Sequence, residues 1–286
     1  MSQPIVLDAC TIINLLRIDD EEDEFLYKHI IAQNLHIAEK VHVEVRNNYS
    51  KNQLSQKQNN YISRCVVDLL NHLCQTGGYH RDDDIIKDLS KQLFVEISNY
   101  TGHIKENGEL YSTALSLIVS RYETEKVLFC TDDVPATNIL SRYFQFQQIG
   151  SIMDTVDLLV YLYWSSSDFD RKLFDRYLSK LWADVNQPLK LFVDEIQKLK
   201  DSFSLADNKD KLLRMNVDRI IRGYYQYDGS QIIDAVTCLK KNKTGTKVAN
   251  TIERFSHVNI EMACPLISKI QSLRLDMKKN ELFKIA

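Results

Sequence analysis

The sequence predicts an α/β fold, with a parallel sheet sandwiched by helices over residues 1–200 and an all-helical region over residues 201–286. Three observations predict it. Short apolar runs rich in Ile, Val and Leu recur between longer stretches whose apolar residues have helical spacing. That alternation argues for parallel strands joined by helical crossovers. Two of the apolar runs end in acid, at Asp8 and at Asp132–Asp133. After residue 155 or so only helical patterns occur.

"PIVLD" reads as a buried strand, because leucine and β-branched residues run together without helical spacing. "TIINLLRI" opens the first helix, with Thr11 near its start. "DDEEDEFLYKHIIAQ" predicts a second helix whose acidic run sits at the positive end of its dipole. "LHIAE" is a short second strand. Helical patterns follow over "KVHVEVRNNY" and "ISRCVVDLLNHLC", separated by a polar stretch around residues 50–58. Gly77–Gly78 breaks the chain, and Asp82–Asp84 starts a helix that runs through "IIKDLSKQLFVEISNYTG". Gly108 precedes another helix, with Glu109 in its first turn. "KVLFCTDD" is a buried strand, "VPATNILSRYF" a helix with Pro135 in its first turn, and "FQFQQIGS" a last strand. The composition turns polar near residue 200, where a domain boundary is expected.

The bulk composition narrows the function classes. A formal net charge of -3 gives no global basic field, so any contact with a polyanion must come from a local patch or through bound cations. The eight glycines and four prolines suit a mostly helical chain. The six cysteines, at 10, 65, 74, 130, 238 and 264, form no CxxC pair and no zinc spacing. Reduced, buried thiols in a cytoplasmic protein are expected from them. "TVDLLVYLYW" is the longest apolar-rich stretch and Asp157 interrupts it, so no membrane association is expected.

The acids carry the functional argument. Parallel strands put Asp8 and the Asp132–Asp133 pair at one edge of the sheet, where α/β sheets bind ligands. Glu44 sits among Val41, Val43 and Val45, and Glu109 begins a helix whose later face is apolar. Acids that converge on one crevice repel each other and cannot all ionise without a cation. Oxygen ligands without His or Cys suit Mg²⁺ or Mn²⁺, and the chemistry such ions support is phosphodiester hydrolysis.

"IVLDACTIINLL", "VHVEV", "NGELYSTALSL" and "VLFCTDDVPATNIL", in that order, resemble the PIN-domain nucleases. "QIGSIMDTVDLLVYL" resembles the strand and helix that close that fold. The resemblance covers residues 4–165, with the helices to about 200 as trailing ones. It implies that Asp8, Glu44, Glu109 and one of Asp132 and Asp133, with Asp133 favoured, bind Mg²⁺ or Mn²⁺. It implies RNA more often than DNA as substrate, and bacterial toxin–antitoxin ribonucleases are the family's largest group. Thr131 and Thr11 are the expected supporting residues, because Cys10 stands where the family often has a better hydrogen-bonding side chain. The insert between Glu44 and Glu109 looks long for compact members. A non-cutting PIN-like module that binds nucleic acid or protein, and a structure-selective DNA nuclease, are the rival expectations.

Each acid also has a plainer explanation. Asp8 could cap the first helix, Glu44 could be an exposed helical residue, Glu109 a helix-start acid, and "TDDVPA" a capped turn. Elsewhere, His36, Glu39 and His42 match no metal motif. Lys240, Lys241, Lys243 and Lys247 form a basic loop open to a phosphate backbone or to solvent. Tyr224, Tyr225 and Tyr227 lie near Arg219 and Arg222, where stacking on single-stranded RNA and simple packing are both open. The C-terminal helices could grip substrate, dock a protein partner such as an inhibitor, or form an oligomer.

Overall fold

The computed structural model describes residues 3–19, 21–49, 55–101, 107–200, 203, 208–241 and 246–279. They form two compact units, Met1–Tyr177 and Leu178–Ala286. The division falls inside one long helix, upstream of the change in composition near residue 200.

The first unit holds a five-stranded, wholly parallel sheet in the order β3-β2-β1-β4-β5. Its strands are β1 (Ile5–Leu7), β2 (Leu35–Ala38), β3 (Tyr79–His80), β4 (Val127–Cys130) and β5 (Gly150–Met153). Every residue of β1, β2 and β4 is buried, as expected for central strands covered on both faces. The helices are α1 (Ala9–Ile18), α2 (Phe25–Ile31), α3 (Glu39–Asn48), α4 (Gln56–Thr76), α5 (Asp82–Leu89), α6 (Lys91–Thr101), α7 (Gly108–Tyr122), α8 (Val134–Gln147) and α9 (Thr155–Ser165). The buried α7 packs against β1, β2 and β4, while α8 and α9 pack against β5. Then α10 (Arg171–Lys200) crosses the division between the units, and α11 (Asn208–Gln226), α12 (Gly229–Lys241), α13 (Thr246–Arg254) and α14 (Ile260–Lys278) complete the second.

Strand order explains where a site belongs. From β1 the chain builds outward to β2 and β3, then returns to place β4 on the other side of β1. The order therefore reverses between β1 and β4, and the crevice outside their carboxyl ends is the natural ligand position of a parallel sheet. Leu7 lies opposite Cys130 in the ladder, and the Asp8 amide continues it by donating to the Cys130 carbonyl at 2.9 Å. Asp8 and Thr131 are thus neighbours by register alone.

Several elements depart from the sequence expectation. Glu21, Glu22, Asp23 and Glu24, ahead of α2, are not helical, and no acid lies in that helix's first turn. Buried Asp19 does that work instead, accepting from the Leu26 amide at 3.0 Å and the Tyr27 amide at 2.9 Å. The helix expected through residues 85–102 is two helices, parted at Ser90 by a positive φ of 72°. The Phe144–Gln147 part of the expected last strand belongs to α8, and β5 begins only at Gly150. β3 had no sequence counterpart. Gly77, at φ 80°, ends α4 in the left-handed conformation that glycine adopts without steric cost, so that breaker is where the sequence places it. No described helix is long and apolar enough to cross a membrane.

Candidate metal-binding acid cluster

The chain leaves β1 at Asp8, and the Asp8 backbone opens α1 in an extended conformation. Its carboxylate, however, makes no capping bond to that helix. It turns across the ladder, where Oδ2 accepts from the Thr131 hydroxyl at 2.9 Å and the Cys10 thiol at 3.0 Å. Oδ1 is buried and has no hydrogen-bond partner. A buried carboxylate oxygen left unpaired is costly, so this position calls for an explanation. Burial above all raises the Asp8 carboxyl from its ordinary range; Cys10, the Ala9 amide and Thr131 offset part of the rise and the charge of Asp133 adds to it.

Cys10 supports the site more directly than the sequence suggests. Besides donating to Asp8, its sulfur accepts from the Asp132 amide at 3.1 Å, which clips the start of α1 to the end of β4. Thr131 shares the work, since its hydroxyl oxygen also accepts from the Asp133 amide at 3.2 Å. Thr11, the other expected support, plays no such part: its hydroxyl is buried without a partner.

The pair at the end of β4 divides its labour. Asp132, 3% exposed, has both oxygens occupied. The Asn14 amide donates to Oδ2 at 2.7 Å, the Thr155 amide donates to Oδ1 at 2.8 Å, and the Thr155 hydroxyl bonds Oδ2. That arrangement ties α1 and α9 to the central strand through both oxygens of Asp132. Burial raises its carboxyl to about 6, against the lowering effect of those bonds. Asp133 caps α8, with Oδ1 accepting from the Ala136 amide at 2.8 Å. Its charge acts on Asp8 and on Glu109.

Glu44 and Glu109 approach from two helices. Glu44 Oε1 accepts from the Gly108 amide at 2.9 Å, an anion held at the positive end of α7. Glu109 follows in the first turn of α7, which Asn107 caps through the Leu110 amide at 3.2 Å. Burial pushes the Glu109 carboxyl up to about 7, helped by the charges of Asp8, Asp133 and Glu44. Burial also raises Glu44, and the Asp8 charge adds to it. Lys40 is the nearby counter-charge: it opposes the rise at Glu44, and its ammonium lies 6.0 Å from the Tyr111 ring centre. Asp8, Glu44, Glu109 and Asp133 thus act on one another through their charges, while the oxygens of Asp132 are tied to Asn14 and Thr155.

The approach of Glu44 depends on Gly108. A Cβ there would lie 2.6 Å from Glu44 Oε2. Gly108→Ala is therefore expected to displace the Glu44 carboxylate despite the better helix propensity of alanine, measured as a weakened divalent-cation affinity with unchanged far-UV circular dichroism.

The four acids offer only oxygen donors, and buried Asp8 Oδ1 has no partner, which suits a hard divalent cation. Among the described residues no three His, Cys, Asp or Glu side chains converge closely enough to enclose an ion. The described residues thus hold no closed cage of protein ligands for a metal ion.

The other residues singled out in the sequence lie elsewhere. His36 meets not His42 but His80, with their ring nitrogens 3.1 Å apart, and its Nε2 lies 3.2 Å from Glu123 Oε1 without the alignment of a hydrogen bond. Burial lowers both His36 and His80 to about 4, so the pair is neutral near pH 7. Lys240 and Lys241 occupy the last turn of α12, where cations complement the helix dipole, and Lys247 is exposed on α13. Lys243 lies outside the described residues. No known protein family, no curated protein and no solved structure matches the chain.

Proposed function

We propose that the chain is a divalent-cation-dependent nuclease of the PIN-domain type, acting on RNA, with Asp8, Glu44, Glu109 and Asp133 as its ligand set. The observation that carries this reading is the buried, unpartnered Asp8 Oδ1 at the switch point of a parallel sheet, within a cluster of four coupled carboxylates. Like charges gathered around a buried carboxylate are retained at a cost, and such costs concentrate at functional sites. Mg²⁺ or Mn²⁺ bound there would supply Lewis-acid charge at the scissile phosphate and a more acidic water.

The chain's own residues would do the rest. Cys10 and Thr131 hold Asp8 in one orientation, so that Oδ1 is the oxygen presented. The α7 amide at Gly108 fixes Glu44. Glu109, in the first turn of α7, would offer a further oxygen to the same ion. Lys40 supplies positive charge beside Glu44, suited to the phosphate of an approaching strand. The rival assignments separate in one assay with labelled RNA and DNA in Mn²⁺ and in EDTA. Cutting of RNA in Mn²⁺ alone is expected; cutting of DNA alone would assign a DNA nuclease, and no cutting of either would leave a binding module.

The raised carboxyls give a signed pH prediction. An unfolded glutamate titrates near 4.5, whereas Glu109 titrates near 7 in the fold. Between those values the folded chain binds more protons, so this group's contribution to stability falls as pH rises through the window and is fully unfavourable above 7. Glu109→Gln removes that effect, while the depressed His36–His80 pair acts equally in both proteins. The thermal midpoint of Glu109→Gln minus wild type in EDTA is expected to be larger at pH 8 than at pH 5. An equal gap would contradict the burial of that charge.

A further inference from the structure

The second unit carries a cationic groove of about 580 Å³ between α11 and α12. Lys211, Arg214, Arg219 and Arg222 line it, with Asp218 and Gln231. At about 100° per residue, these α11 cations share one stripe of the helix with Met215 and Tyr225. From Lys211 to Tyr225 the stripe is about 21 Å long, enough for several phosphates. In a chain whose formal net charge is -3, this concentration of cations is a local exception.

The charges are available rather than spent. The one acid in the groove, Asp218, is taken by Lys200 at 2.6 Å. Arg214 is held by backbone, donating to the Lys200 carbonyl at 3.1 Å and the Phe203 carbonyl at 3.3 Å, which neutralises none of its charge. Arg219 stands 4.0 Å from Asp234, the outer limit of an ion pair. Lys211 and Arg222 are exposed and have no carboxylate partner among the described residues.

Two further features select the kind of polyanion. Tyr224 is half-buried, with its hydroxyl donating to Asn186 Oδ1 at 3.1 Å, so it is a packing residue. Tyr225 on the same stripe as the cations is 72% exposed, and Met215, nearer the start of the stripe, is 52% exposed. Gln231 Oε1 is buried without a hydrogen-bond partner. Inorganic phosphate or an acidic peptide side chain would use the cations and offer nothing to an exposed aromatic face. A single nucleic-acid strand offers phosphates, unstacked bases and N–H or O–H donors together.

We infer that the α11 stripe and its groove bind a single nucleic-acid strand, with Lys211, Arg214, Arg219 and Arg222 on phosphates and Tyr225 stacking on a base. The site is independent of cleavage. Its test is run in EDTA, so its failure leaves the nuclease reading standing, and loss of cutting leaves this site standing.

The measurement is fluorescence anisotropy of a labelled 12-nucleotide single-stranded RNA titrated with the full chain at several salt concentrations. Wild type is expected to bind with an affinity that falls steeply with salt. The double variant Lys211→Gln/Arg222→Gln should bind at least about tenfold more weakly, and its log–log salt slope should shrink by about 1.4, roughly 0.7 for each lost phosphate contact. Tyr225→Ala should weaken binding about tenfold with the slope unchanged, since stacking releases no counterions. All three side chains are exposed, and circular dichroism checks that the fold is kept. No binding by wild type, unchanged binding in the double variant, or competition by polyglutamate or phosphatidylserine vesicles as strong as by unlabelled RNA would overturn the assignment.

Discussion

Asp8→Asn is expected to lower cation-dependent cleavage about a hundred- to a thousandfold, the range found when one oriented electrostatic contribution to a transition state is removed. The same change should leave the thermal midpoint in EDTA unchanged or higher. The wild-type carboxylate is buried, pushed above its ordinary range and unpaired at Oδ1, whereas a neutral amide keeps an oxygen for Thr131 and Cys10. Activity lost while stability holds or rises is the signature of a residue kept for function. If Asp8 only braced the end of β1, Asp8→Asn would cost stability in step with whatever else it changed. Thermal unfolding and initial cleavage rates on the same preparations distinguish the two.

Asp132→Ala is expected to do the opposite. Removing this carboxylate strands the Asn14 amide and both the amide and the hydroxyl of Thr155 in the interior. Buried donors without acceptors cost about 1–3 kcal/mol each, so a loss on the order of 3–5 kcal/mol is expected. For a unit of this size that lowers the thermal midpoint by roughly 10 °C or more. Asp133→Ala loses only a helix cap, about 1 kcal/mol, while removing a charge from the cluster. Adjacent residues should therefore separate cleanly, with Asp132→Ala failing in stability and Asp133→Ala failing in cation binding.

The contrast between those neighbours shows where the sequence is legible. Continuous apolar runs announce β1 and β4, and the acids at their ends follow from the runs. The two-residue β3 has no such run: both Tyr79 and His80 are half-buried, and they pair only because Ile37 and Ala38 of β2 offer a free edge. The break at Ser90 carries no glycine or proline to mark it. The Asp132 bonds span 118 and 23 residues, to Asn14 and Thr155, and no local pattern encodes partners so distant. Cys10 was legible as a departure, but not as a bridge, because its second partner is the Asp132 amide 122 residues away. Asp8 and Asp133 are candidates because they follow strand runs, and Glu44 and Glu109 because they lie on helices beside apolar residues; that the four serve one site is the proposal. Asp132 joins them as the acid nearest the end of the β4 run, whereas a Thr-x-Asp pattern selects Asp133.

The central claim is that Asp8 Oδ1 and its three carboxylate neighbours await a divalent cation. Calorimetric titration of the full chain with Mn²⁺ at pH 8 tests it most directly. The account predicts a binding event that releases protons as the pH is lowered toward 7, that disappears in Asp8→Asn and Asp133→Asn, and that persists in Asp132→Asn. No binding by the wild-type chain, or binding that survives Asp8→Asn, would contradict it.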